Sequence, residues 1–178
     1  MKGRFFKVYS VNFDKYFKLL NWNVIFWGIK GDIIEADCAT DYANVLVKNG
    51  VTDNETLVVS LLILEDVCKD EVLALIANAI TDCDLREYES LRILRYIILD
   101  SIKELSEGNN AVLNAVENVY ADFDYPSDMD SFISYMPADD EYDASKHTQE
   151  ENEQRLIKKL NLFLKKETQW IKKIHSAH

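Results

Sequence analysis

The chain has 178 residues, 48% of them apolar, enough for a real core and too many for a disordered chain. Five glycines and two prolines argue against a turn-rich β architecture. A net charge of −11 excludes an electrostatically driven nucleic-acid or anionic-membrane binder and permits a cationic protein partner.

That charge is unevenly spread. Residues 1–30 carry six Lys/Arg and one acid, residues 151–178 carry seven and three, and the 27 other acids fall between them. The ordinary consequence is that the basic ends pack beside the middle and offset its self-repulsion. Cys38, Cys68 and Cys83 are odd in number and scattered, with no CxxC, which predicts buried free thiols in a reducing cytosol. No apolar leader precedes the first helix, and the longest apolar run, Leu57 to Leu64, is too short to span a bilayer.

Residues 3–13 partly alternate, as a short strand or a loosely held extension would. Asn21 is placed to cap a helix opening at Trp22, with Trp22, Phe26 and Ile29 on one face and Gly28 and Gly31 loosening and ending it. Trp27 points elsewhere, so this helix is expected to be buried on two sides. A second helix starts at Asp32 or just after, striped by Ile34, Cys38, Tyr42, Val45 and Leu46, with Gly50 as its stop. Thr52 with Glu55 reads as a capping box for a third helix over LVVSLLIL. A fourth starts near Lys69, with Val72, Leu75, Ile76, Ala79 and Ile80 on one side.

Asp84 caps the longest central helix, Leu85 to Glu107, striped by Tyr88, Leu91, Leu94, Ile98, Ile102 and Leu105. Glu89 and Arg92 are spaced for an i,i+3 pair. Asn109 or Asn110 caps the next helix, with Val112, Ala115, Val116, Val119, Tyr120 and Phe123 inward, and Pro126 stops it. Ser127 opens a short helix to Met136. Thr148 and Glu151 form a capping box for a last helix to about Ile174, with Leu156, Leu160, Phe163, Trp170 and Ile174 inward and Glu167 interrupting the series. The sum is one all-α domain, residues 1–178, of about seven or eight helices, as a bundle or a short array of helical hairpins.

The irregular piece is Tyr120 to His147, YADFDYPSDMDSFISYMPADDEYDASKH, which holds both prolines, eight acids and six aromatics. Its spacing fails as an EF-hand: a loop opening at Asp122 has Ser127 and Ile133 where Gly and Glu belong. His147 and Glu151 do not make HExxH, and no GxSxG, Walker A or GxGxxG occurs, so no metal, cofactor or catalytic residue is expected. Phe123, Tyr125, Phe132 and Tyr135 are expected to tie the segment down. The alternative is a displayed anionic surface with tyrosine edges, made of Asp122, Asp124, Tyr125, Asp128, Asp130, Tyr135, Asp139, Asp140, Glu141, Tyr142 and Asp143.

WNVIFWGIKGDI, VYADFDYPSDMDSFISYMP and YDASKHTQEENEQRLIKKL resemble a family of small bacterial proteins designated a domain of unknown function, number two-two-four-seven, over about residues 19–165. The resemblance implies no activity and no site residues. Its members are similar to the acidic single-domain proteins encoded beside polymorphic toxins as immunity proteins. The expectation is a cytoplasmic, non-catalytic protein-binding module that covers a basic toxin domain, for example a nuclease. A helical adaptor or regulator, and an enzyme without recognisable motifs, stay open beside it.

Overall fold

The computed structural model describes residues 13–61, 68–80, 86–138 and 140–177. Among these residues there are eight α-helices and no strand: α1 (Phe13–Tyr16), α2 (Trp22–Lys30), α3 (Asp37–Lys48), α4 (Asn54–Ser60), α5 (Lys69–Ala79), α6 (Glu87–Leu105), α7 (Asn109–Asp122) and α8 (Gln149–Ala177). The fold is all-α. Two compact units are distinguished, the first running to Leu94 and the second beginning at Arg95, so the division falls inside α6. The possible strand over residues 3–13 lies outside the described residues, apart from Phe13, which is helical.

In the first unit α3 packs on α4, α4 on α5, and α2 on both α5 and α3. Asn21 caps α2, its Oδ1 accepting from Val24 N at 2.9 Å. The face of α2 that is buried is Val24, Ile25, Gly28 and Ile29, and the expected Trp22–Phe26 face is only half-buried. Trp22 stands edge-on to Tyr42, whose hydroxyl donates to Leu20 O at 3.1 Å. Gly28 does not loosen the helix; it admits its neighbours. A Cβ there would lie 2.9 Å from both Ile34 Cδ1 and Leu94 Cδ2. Gly28→Ala should cost about 1–3 kcal/mol through overpacking, offset by about 1 kcal/mol of helix propensity, so a net loss of up to about 2 kcal/mol is expected, read as a lowered urea midpoint with an unchanged m-value.

Several helix starts differ from expectation, each for a local reason. Asp32 sits in a left-handed turn (φ 57°), so α3 begins only at Asp37. Asp53, not Thr52, caps α4, its Oδ1 accepting from Thr56 N at 2.7 Å. The later part of LVVSLLIL, residues 62–64, lies outside the described residues, as do Cys83, the expected cap Asp84 and the expected helix start at Leu85. Cys38 is buried, which pushes its thiol up, whereas Cys68 is exposed against expectation, at the cap of α5. Glu89 accepts from Arg86 N at 2.8 Å, so it helps cap α6.

Helix α6 is buried over Ile93, Leu94, Ile97, Ile98, Leu99 and Ile102. Tyr88 and Leu105, expected in its stripe, are exposed. In the second unit α7 packs on α8, and α8 packs on a 3₁₀ segment, Ser127–Phe132. That segment has no side-chain cap from Ser127 and ends before Met136. The buried face of α7 includes Leu113, which the inward series omitted. On α8 it is Leu160, Phe163, Leu164, Glu167 and Ile171, so Glu167 lies within the buried stripe.

Candidate functional site

Residues 123–138 and 140–148 form a strap across the second unit, between α7 and α8. Its entry is set by a backbone motif. Tyr125 N donates to Tyr120 O at 2.9 Å and Asp124 N to Ala121 O at 3.1 Å, the paired bonds of a Schellman stop. The helix therefore ends at Asp122, four residues before Pro126. Asp124 and Tyr125 are both left-handed, φ 59° and 56°. Glycine usually takes such a position, and a side chain there costs on the order of 1 kcal/mol. The Tyr125 ring that follows this turn is exposed and meets the Tyr120 ring edge-on at 5.3 Å.

The first half of the strap is then pinned. Met129, Phe132 and Ile133 are buried, and the Phe132 ring lies 5.1 Å from that of Phe163 on α8. Of the four aromatics expected to anchor the strap, only Phe132 is fully buried. Phe123 is half-buried, and Tyr125 and Tyr135 are 60% and 58% exposed. Arg95, 5% exposed, reaches Asp128 at 2.5 Å, and its guanidinium lies 5.6 Å from the Phe163 ring centre. Tyr120 donates its hydroxyl to Asp130 at 2.6 Å, which with partial burial pushes that phenol up to about 12.

The second half is tied to α8. Asp140 accepts from Arg155 at 2.6 Å and pairs with Lys159 at 3.3 Å. Arg155 also lies over the Tyr142 ring, 4.1 Å from its centre, and Tyr142 stacks on His147 at 4.5 Å. The Tyr142 hydroxyl donates to Asn152 at 2.6 Å, and Asn152 donates to Ala144 O at 3.1 Å. Asp143 accepts from Ser145 N and Oγ and pairs with Lys146. The Thr148–Glu151 box then starts α8, with Thr148 N donating to Glu151 at 2.8 Å and Glu151 N to Thr148 Oγ1 at 3.2 Å.

Asp140 contributes to the pH dependence of this half, beside Asp143 and Glu151, whose carboxyls are also held down by their hydrogen bonds. Its hydrogen bond from Arg155, then that from Lys159, holds its carboxyl at about 2, against an ordinary value of 3.8. A depressed carboxyl stabilises in full above the ordinary value and loses that contribution as the pH falls through the folded one. Between about pH 4 and pH 2 Asp140 should therefore lose its hold on Arg155 and Lys159, loosening the contact that positions Arg155 over Tyr142. The check is the ring NMR signals of Tyr142 across that window: they should shift with a midpoint near 2, and in Asp140→Asn they should already be shifted at neutral pH.

Between α7, the strap and the start of α8 lies a groove of about 460 Å³, with Leu113, Ile133, Met136, Pro137 and Leu156 among its apolar lining. Asn110, Asn114, Glu117, Asn152 and Glu153 supply much of its polar lining. These polar groups are largely bonded to one another. Asn114 donates to Asn110, Asn110 and Gln149 to Glu153, and Ser134 to Glu117.

The residues expected to form one anionic face thus divide. Asp128, Asp130 and Asp140 tie the strap to Arg95, Tyr120 and Arg155, Asp143 bonds within it to Ser145 and Lys146, and Tyr142 packs on Arg155 beside Asp140. Asp122, Asp124, Tyr125, Tyr135 and Glu141 are exposed. Asp139 lies outside the described residues. Tyr125 and Tyr135 gather on the Tyr120 ring, while Asp140 and Tyr142 form a separate cluster at Arg155. Sequence reasoning missed Arg95, Glu117 and Arg155. Arg155 carried a faint signal, lying on the first turns of a capped helix beside the acidic run; Arg95, 33 residues from Asp128, carried none.

Among the described residues no group of His, Cys, Asp and Glu is placed to hold a metal ion, and no helix is long and apolar enough to cross a membrane. The family model described as "Uncharacterized protein conserved in bacteria (DUF2247)" matches residues 12–168. No curated protein and no solved structure matches the chain.

Proposed function

The chain belongs to the DUF2247 family of uncharacterized proteins conserved in bacteria, and from that premise we propose that it is a non-catalytic module that recognises a basic protein. One observation supports this above the rest. The strap is fixed from beneath by Phe132, Met129 and the Arg95–Asp128 pair, yet it turns Tyr125, Tyr135, Asp124 and Glu141 to solvent. Rigid exposed tyrosines beside carboxylates lose little entropy on binding and steer a cationic partner. In its narrower form the partner is a toxin domain whose phosphate-attracting active site the strap covers, making this an immunity-type protein.

The groove beside α7 favours a second reading, an adaptor that takes a peptide segment of its partner there. Affinity capture from the native bacterium tests the first reading, with wild type and Asp124→Lys/Glu141→Lys as baits of equal helicity. Wild type should retain a basic protein at low salt, and the charge reversal should reduce that about tenfold. Capture indifferent to both salt and charge reversal sinks the reading. Growth rescue then decides its narrower form: an immunity protein protects cells that express the captured partner, and an adaptor does not.

A further inference from the structure

The second unit twice builds the same small device from its own residues. Arg155 lies 4.1 Å from the centre of the Tyr142 ring while it bonds Asp140. Arg95 lies 5.6 Å from the centre of the Phe163 ring while it bonds Asp128. In each, an aromatic ring takes a guanidinium and a carboxylate takes its N–H groups, the combination that suits arginine better than lysine.

A third assembly of rings and carboxylates stands at the entry to the strap. Tyr125 meets the Tyr120 ring edge-on, with centres 5.3 Å apart, and Tyr135 tilts toward it at 6.3 Å. Tyr120 is nearly buried, so it forms the floor, and the two exposed rings stand beside it. Asp130 is bound through one oxygen to Tyr120, which leaves its other oxygen acceptor capacity. Glu117 accepts from Ser134, the neighbour of Tyr135 in the chain. The Tyr135 phenol is pushed up by partial burial, by Glu117 and by Tyr125, which places these groups within electrostatic reach of one another. Among the described residues no lysine or arginine is recorded against Glu117, Asp130 or the rings of Tyr125 and Tyr135, although the two comparable assemblies each hold one.

We infer that Tyr120, Tyr125 and Tyr135, with Glu117 and Asp130 beside them, receive an arginine side chain of the basic partner, an inference that sharpens the recognition role proposed above and rests on it. The rings supply the cation–π face and the carboxylates the acceptors. The left-handed pair Asp124–Tyr125 fixes one wall before the partner arrives, so little ordering is left to be done on binding.

The probe is a blocked Gly-Arg-Gly tripeptide titrated into the full chain, with ring NMR signals of the tyrosines as readout. Blocked Gly-citrulline-Gly, of nearly the same shape without the charge, is the control. The arginine peptide should shift Tyr120, Tyr125 and Tyr135, saturate at millimolar concentration and bind about tenfold more tightly than the citrulline peptide. Tyr125→Phe/Tyr135→Phe should keep the affinity within about threefold, because the ring face remains. Tyr125→Ala/Tyr135→Ala, with helicity unchanged, should lose the binding. Equal affinity for the two peptides, shifts confined to other tyrosines, or binding that survives the alanine pair would each overturn the inference. The readout is the tripeptide itself. A peptide site that behaves as described in a protein whose bait captures no basic partner therefore counts against the recognition role and not against the site.

Discussion

Phe132→Ala should be the most damaging single change to the strap, costing about 3–5 kcal/mol of stability. Phe132 is fully buried, it meets Phe163 on α8 with ring centres 5.1 Å apart, and its neighbours Met129 and Ile133 are buried with it. Truncation removes most of a large apolar side chain and leaves a cavity that a short 3₁₀ segment cannot collapse to fill. Urea unfolding gives the magnitude. Amide exchange gives the location, since residues 127–133 should lose protection before α7 does. Tyr135→Ala, three residues away and exposed, should stay within about 0.5 kcal/mol of wild type. Equal losses for the two would mean that the strap is not held from beneath.

Asp128→Ala should cost more than Arg95→Met, although both break the same 2.5 Å pair. Removing the aspartate leaves a guanidinium whose side chain is only 7% exposed and cannot recover the lost solvation from water. A loss of about 2–4 kcal/mol follows, below the range for a wholly buried pair because the Asp128 side chain is 40% exposed. Arg95→Met leaves an aspartate that can hydrate, with an apolar chain of similar length against Phe163, so about 1 kcal/mol or less is expected. The double variant should resemble Arg95→Met alone, which a double-mutant cycle reads as strong coupling. The reverse order of the two single variants would show that Arg95 is satisfied by something other than Asp128.

Helix stops and starts were legible wherever the deciding bond spans only a few residues. Asn21 and the Thr148–Glu151 box act where the spacing puts them, because a side chain that caps must reach a backbone amide within one turn, and Gly50 stops its helix through a left-handed backbone (φ 89°) that glycine takes without strain. The same locality explains the misses. Thr52 and Asp53 are adjacent potential caps, and sequence alone does not rank them; the fold uses Asp53. The helix after Asp32 starts late because that residue is spent on a left-handed turn.

The strap was the harder part. Eight acids in one irregular stretch suggest a surface, but proximity in the chain says nothing about what lies across from each. Asp128, Asp130 and Asp140 find partners 33, 10 and 15 residues away, and only the packing of α6, α7 and α8 brings those partners up. Exposure was misjudged in the same way. Tyr125 and Phe132 are both aromatic and both in the strap, and a backbone turn decides which of them sees water.

The bond between Asp140 and the start of α8 also changes how the positive end of the chain should be regarded. Arg155 and Lys159 count toward the basic terminus on paper, yet each already faces an aspartate from the preceding segment. Tallied by neighbourhood instead of by position, two of the seven bases of residues 151–178 are already matched to Asp140 of the acidic segment, so the two ends of the charge map meet rather than stand apart.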